Sequence, residues 1–392
     1  MNKKRPLAII SPDRAGLYCI VIYLIFTIAT AGNYSTITGE PNLMLLDWHS
    51  AIFVTSCILS YIAGLRLYYF AGLRNLTLPG LRKFALNANF YYLLPMCLST
   101  SILLFQVCQL ITSNSLISLF LSNVASQDLK GELEVSGTFF NAIYVHLAVT
   151  FWSASAVYSN DASRFLKIVR FIMIGVVVVA SSLILARYIL LPFLAGLLIL
   201  RVRYKYIEMS KVPLRGLIVA GISIILLFCL IAVARGGEWL SGLYNYGPAS
   251  FNRLSGILDG RIQLQVPKQF YLLSSLKENW DYYDITINEH DAVAQGGLDW
   301  SLNWLTAYGY VFHSLAYFSF LYFSVIGFIC GMAWQSFVKG NSWGLVFYPW
   351  LLTSILLWFT YNILGYAQTY IVLLVGITLA IYSSVFKPKL KQ

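Results

Sequence analysis

Residues 168–201 read IVRFIMIGVVVVASSLILARYILLPFLAGLLILR, an apolar run broken near its middle by one charge, Arg187. A helix rises about 1.5 Å per residue, and about 20 mostly apolar residues are needed to cross the hydrocarbon core of a bilayer. The run therefore predicts two helices, 168–186 and 188–201, separated by the step at Ala186, Arg187 and Tyr188. The spacing suits a tight hairpin whose second helix is short enough to be tilted or partly re-entrant. Working outward, blocks of the same kind occupy 16–32, 50–70, 90–111, 138–158, 215–233, 311–335, 342–361 and 366–386. The expected fold is all-α: a polytopic integral membrane protein, a single transmembrane domain over 1–392 with about ten spans.

Composition points the same way. Of 392 residues, 58% are hydrophobic and 11% charged, where soluble domains average about 25% charged; mean hydropathy is +0.70. The net charge of +11 does not call for nucleic acid. Its basic residues fall at the ends of apolar blocks, as the positive-inside bias requires. Cys19, Cys57, Cys97, Cys108, Cys229 and Cys330 lie in apolar segments with no CxxC pair and read as small buried hydrophobes. The first block is followed by GNYSTITGEPN (32–42), not by a small-residue cleavage site, so no cleaved signal is expected.

Ten spans put both termini on one side of the bilayer. That side would hold 20 of the 27 basic residues with three acids, Asp13, Asp161 and Glu208, against seven basic and 13 acidic residues opposite. The bias makes both termini cytoplasmic. Three segments then face outward: 32–48, 112–137 with its mixed charges, and 235–310.

The last of these contains WLSGLYNYGPASFNRLSGILDGRIQLQVP (239–267). Structureless connections above about 15 residues are unusual, so the segment is expected to carry structure of its own. Short helices fit 238–244 and 251–258, Gly247-Pro248 is a turn signal, and 269–280 has the spacing of an interfacial amphipathic helix. Ile262, Leu264 and Val266 alternate with polar residues, as a strand would.

Arg187 stands at the outer face, where a charge near hydrocarbon must snorkel or find a partner. Its planar fork of donors also suits phosphate. Arg235, Arg253 and Arg261 lie on the same side, against the charge bias. The four could accept a pyrophosphate-linked lipid, or could pair with loop acids such as Glu238 and Asp259. A general base could come from Glu238, Asp259, His290, or His313 inside the eighth block, and no spacing selects one. Trp239, Tyr244 and Tyr246, in the same segment as Asn252, suit sugar binding by stacking and hydrogen bonding; packing on the bilayer surface is the structural alternative. HExxH, CxxC, GxSxG, P-loop and dinucleotide patterns are absent, so neither a metal nor a cofactor is expected.

With LARYILLPFLAGLLILRVR (185–203), the stretch from Arg235 through LYNYGPASFNRLSGILDG, the ten spans and the large late outward loop, the chain resembles the O-antigen polymerase family of the bacterial inner membrane. The resemblance is one of pattern across most of the chain. It implies a metal-independent glycosyltransferase that polymerises undecaprenyl-pyrophosphate-linked repeat units at the periplasmic face, next to a chain-length regulator and a flippase. Carried over, Arg187 and Arg235 bind the pyrophosphate, followed by Arg253 and Arg261, while the catalytic base stays open. A flippase and an O-antigen ligase are the alternatives. Ligases carry a histidine late in the large loop, and here His290 lies in NEHDAV (288–293).

Overall fold

An apolar segment in hydrocarbon must satisfy its peptide groups internally, and helix does so within one segment. The computed structural model describes residues 5–31, 34–44, 47–72, 84–112, 137–157, 163–183, 187–209, 247–264, 282–299, 305–360 and 362–389. Among them the chain is almost entirely helical. In order come α1 (Pro12–Thr30), α2 (Tyr34–Thr38), α3 (Trp48–Phe70), β1 (Phe84–Asn87), α4 (Ala88–Thr112), α5 (Gly137–Val157), α6 (Arg164–Leu183) and α7 (Arg187–Met209). Then follow α8 (Pro248–Leu258), α9 (Tyr282–Gln295), α10 (Ala307–Leu315), α11 (Ser319–Lys339), α12 (Ser342–Leu356), α13 (Ala367–Val385) and β2 (Phe386–Lys389). Among the described residues, five segments are long and apolar enough to cross a membrane: Pro12–Thr30, Trp48–Phe70, Asn89–Gln109, Ala307–Lys339 and Ala367–Val385.

Most expected blocks become helices within a few residues of their expected ends, and the departures have local causes. The block at 188–201 extends to Met209, beyond the apolar run and through RVRYKYIEM (201–209). The block at 311–335 is instead two helices, α10 and α11, joined by a 3-10 turn at Ala316–Phe318. Ala316 there has φ 48°, the one positive φ outside glycine among the described residues. The block at 342–361 stops at Leu356. Residues 215–233 lie outside the described residues. Residues 262–264 form no strand, and Val266 lies outside the described residues; instead β1 and β2 pair in parallel, Phe84 opposite Phe386.

The most extensive helix contact joins α3 to α11, which run parallel. Small residues allow it: a Cβ on Gly64 would lie 1.8 Å from the Ser324 carbonyl oxygen, and one on Gly327 2.0 Å from that of Tyr61. Gly327 and Gly331, four apart, open one face of α11 to α3, the close approach that drives helix association where water exclusion cannot. α12 is the central element, buried from Gly344 to Ile355 and touching α1, α5, α7, α11 and α13.

Buried polar ties fix these helices to one another. His146 on α5 lies between the Ser99 hydroxyl of α4 and the Met173 carbonyl of α6, both at 3.2 Å. At the end of α11, Arg203 Nε donates to the Phe337 carbonyl oxygen at 2.7 Å, while Gly340 takes the left-handed conformation of a helix stop. The opposite end of the bundle, where α1 ends and α3 begins, carries α8 and α10 and is its strap end.

Candidate functional site

Residues 34–44 form a strap over α8. Pro248 starts α8 at its first turn, where the missing N–H costs nothing, and residues 248–257 are all buried. Phe251 packs edge-to-face on Tyr23 of α1 at 5.0 Å and stacks with Tyr308 of α10 at 6.3 Å. The apolar face thereby fixes α8 in the mouth of the bundle, and its polar residues turn toward the strap.

Their meeting point is Glu40. Its Oε1 accepts from Arg253 Nη2 at 2.6 Å and from the Asp299 backbone N–H at 2.8 Å. Oε2 accepts from the Tyr34 hydroxyl at 2.5 Å and the Asn252 amide at 3.5 Å. Asn252 also accepts from the N–H groups of Leu43 and Met44, at 2.6 and 3.2 Å, and donates to the Pro41 carbonyl at 3.0 Å. Arg253 donates in addition to the carbonyls of Ala249 and Asp299. Burial, with the Glu40 charge second, pushes the Tyr34 phenol well above its usual range, so it stays a donor.

Beside this buried assembly lies an exposed rim. Asp47 caps α3, accepting from the N–H groups of His49 and Ser50 at 2.9 and 3.3 Å and from the Ser50 hydroxyl. Ser50 Oγ meets Ser255 Oγ of α8 at 2.9 Å, which brings the end of α8 to the start of α3. Gly260, at φ +72°, then ends α8 and turns Arg261 outward. His49 Nδ1 stands 3.8 Å from Asp259 Oδ1, and the donor atoms of Asp47, His49 and Asp259 fall within 4.8 Å of one another. One imidazole and two carboxylates could hold a divalent cation such as zinc or manganese.

Those expected site residues that are described are thus not gathered on one open surface. Arg253, expected at the diphosphate, is fully buried in this structure and paired with Glu40. Asn252, expected to bind sugar, is likewise buried and spends its amide on the strap backbone. Asp259 and Arg261 are exposed at the strap end. Arg187 is the first residue of α7, 16 positions before Arg203, so roughly 24 Å of helix axis separates it from the far end of the bundle. His290 is half-buried on α9, where burial lowers its pKa from the ordinary imidazole value against the opposing charge of Asp291. His313 is half-buried in the last turn of α10, short of the break at Ala316. Arg235, Glu238, Trp239, Tyr244 and Tyr246 lie outside the described residues.

Sequence reasoning missed Glu40, Tyr34, Asp47, His49 and Ser50. The capping pattern Asp47 to Ser50 ahead of an apolar block was visible as a helix start. No local pattern links Glu40 to Arg253, 213 residues away. Comparison with protein-family models, with curated proteins and with solved structures finds no match to this chain.

Proposed function

We propose that the chain is a membrane glycosyltransferase that polymerises polyprenyl-diphosphate-linked oligosaccharide repeat units into a surface polysaccharide. In this reading it is a ten-span protein of a bacterial inner membrane, with both termini cytoplasmic and residues 235–310 facing the periplasm. A chain-length regulator and a flippase are its expected neighbours. The reading draws its main support from the strap end, where an apolar bundle carries a polar layer contributed by three sequence-distant segments, 34–44, 247–264 and 299. An enzyme acting on a membrane-anchored, water-soluble glycan needs such a layer next to hydrocarbon.

The chemistry follows from the leaving group. A lipid diphosphate departs with developing negative charge, which guanidinium donors stabilise, while the outward segment holds the two sugars in attacking geometry. Arg187, Arg235 and Arg261 are the candidate cations. Asp259, His290 and Glu238 are candidates to take the acceptor hydroxyl's proton.

Arg187→Ala in cells should abolish long glycans while the protein remains inserted, read on a gel of extracted polysaccharide. A normal length distribution in that variant removes Arg187 from the mechanism. Deleting the gene should leave single repeats at the surface; repeats trapped on the cytoplasmic side would mark a flippase instead. Complete polymer left on its carrier would mark a ligase.

A further inference from the structure

Arg253 presents two edges of its guanidinium. Nη1 is spent on the Ala249 carbonyl of its own helix, whereas the edge made by Nε and Nη2 faces Glu40. Only Nη2 of that edge is engaged, and Nε is buried without a hydrogen-bond partner among the described residues. A buried donor left unpaired is costly, and this edge is the one that binds phosphate through two parallel hydrogen bonds. The Glu40 carboxylate therefore fills the anion position while using half of the fork.

What holds Glu40 there is mostly polar. The strap is fastened by Asn252 to the N–H groups of Leu43 and Met44, by Asn42 to the Thr30 carbonyl, and by the ion pair. Among the described residues, the strap also buries Tyr34 against Ala249 in a cluster apart from the main core, and Met44 joins that core with Leu43 packed against it. Polar ties of this kind can be exchanged for equivalent ties to a ligand, whose bonds to the free fork offset the burial that Tyr34 and Met44 lose.

We propose that Glu40 is an internal anion occupying a phosphate site, so that the strap holds the ligand-free chain closed. When residues 34–44 lift, Arg253 exchanges the carboxylate for the oxygens of a phosphate or diphosphate, and the Asn252 amide becomes free to join it. This rests on the reading of the strap end as a lipid-diphosphate surface. It also returns a ligand role to Arg253, in an open state.

The test uses the purified full chain in zwitterionic nanodiscs, titrated calorimetrically with inorganic pyrophosphate. Glu40→Gln should bind pyrophosphate at least tenfold more tightly than the parent, and adding Arg253→Gln should remove that gain. Equal affinity of parent and Glu40→Gln, or a gain that survives Arg253→Gln, overturns the proposal. Should Glu40→Gln fail to fold, Ala249→Cys supplies a second measurement, since Ala249 is fully buried under Tyr34. Pyrophosphate should speed its labelling by a membrane-impermeant thiol reagent, saturably and above the parent chain's background; an unchanged rate overturns the proposal. Farnesyl diphosphate binding tighter than pyrophosphate assigns the site to a lipid-linked ligand, and equal binding assigns it to the free anion. Because binding is read rather than glycan synthesis, a chain that gains affinity on Glu40→Gln but makes no polymer refutes the transferase and keeps this site.

Discussion

Arg253 shows how far residue type alone reaches. An arginine in a polar stretch between apolar blocks is legible as a candidate, but whether it meets a ligand or an internal carboxylate depends on a residue 213 positions away. Removing one member of a buried pair strands the other charge at a cost of about 3–5 kcal/mol, whereas a well-packed apolar pair is often neutral. Arg253→Ala should therefore lower the unfolding temperature in detergent sharply, and Glu40→Leu combined with Arg253→Met should recover most of the loss. His290 gives a pH signature. Its folded pKa is depressed, so the unfolded chain binds the extra proton first. The associated stability is complete above about pH 6.5, the unfolded value, and is lost as pH falls through the lowered native value. His290→Gln should flatten that part of the acid limb in thermal melts between pH 7.5 and 5.

At the scale of elements, hydropathy located the helices because the apolar length of each block is set locally, independently of its neighbours. It could not distinguish the segment at 307–339 from one helix, since the break at Ala316 is a backbone event within an unbroken apolar pattern. Nor could it separate glycines that matter from those that do not. Gly327 faces the Tyr61 carbonyl, whereas a Cβ on Gly175 of α6 would meet nothing within 4 Å. Gly327→Ala should force α3 and α11 apart and destabilise by about 1–3 kcal/mol, as overpacking does. Gly175→Ala should stabilise by about 0.5–1 kcal/mol through backbone entropy, and paired detergent melts would show the opposite signs. α9, which carries His290, was not foreseen, because its polar sequence has no strong apolar period.

Across the whole molecule, the β1–β2 pair ties the segment ahead of α4 to the segment after α13, so these two stretches share one end of the bundle. The expected topology assigns Arg82, Lys83 and the C-terminal lysines to one compartment. Reporter fusions at Lys83 and Lys391 should both report the cytoplasm, and one after Asp291 the opposite side; a split between the first two would break the ten-span topology.

The sequence by itself determined a helical protein with membrane-compatible spans, the approximate bounds of most helices, and an uneven spread of basic residues among the segments between its apolar blocks. Those properties are sums over local residues, set by burial and length. Only the tertiary structure decided that Arg253 is closed by Glu40, that Asn252 fastens a strap, and that Asp47, His49 and Asp259 converge at the rim. Each of these depends on contacts across more than 200 residues, and packing alone brings such distant side chains together.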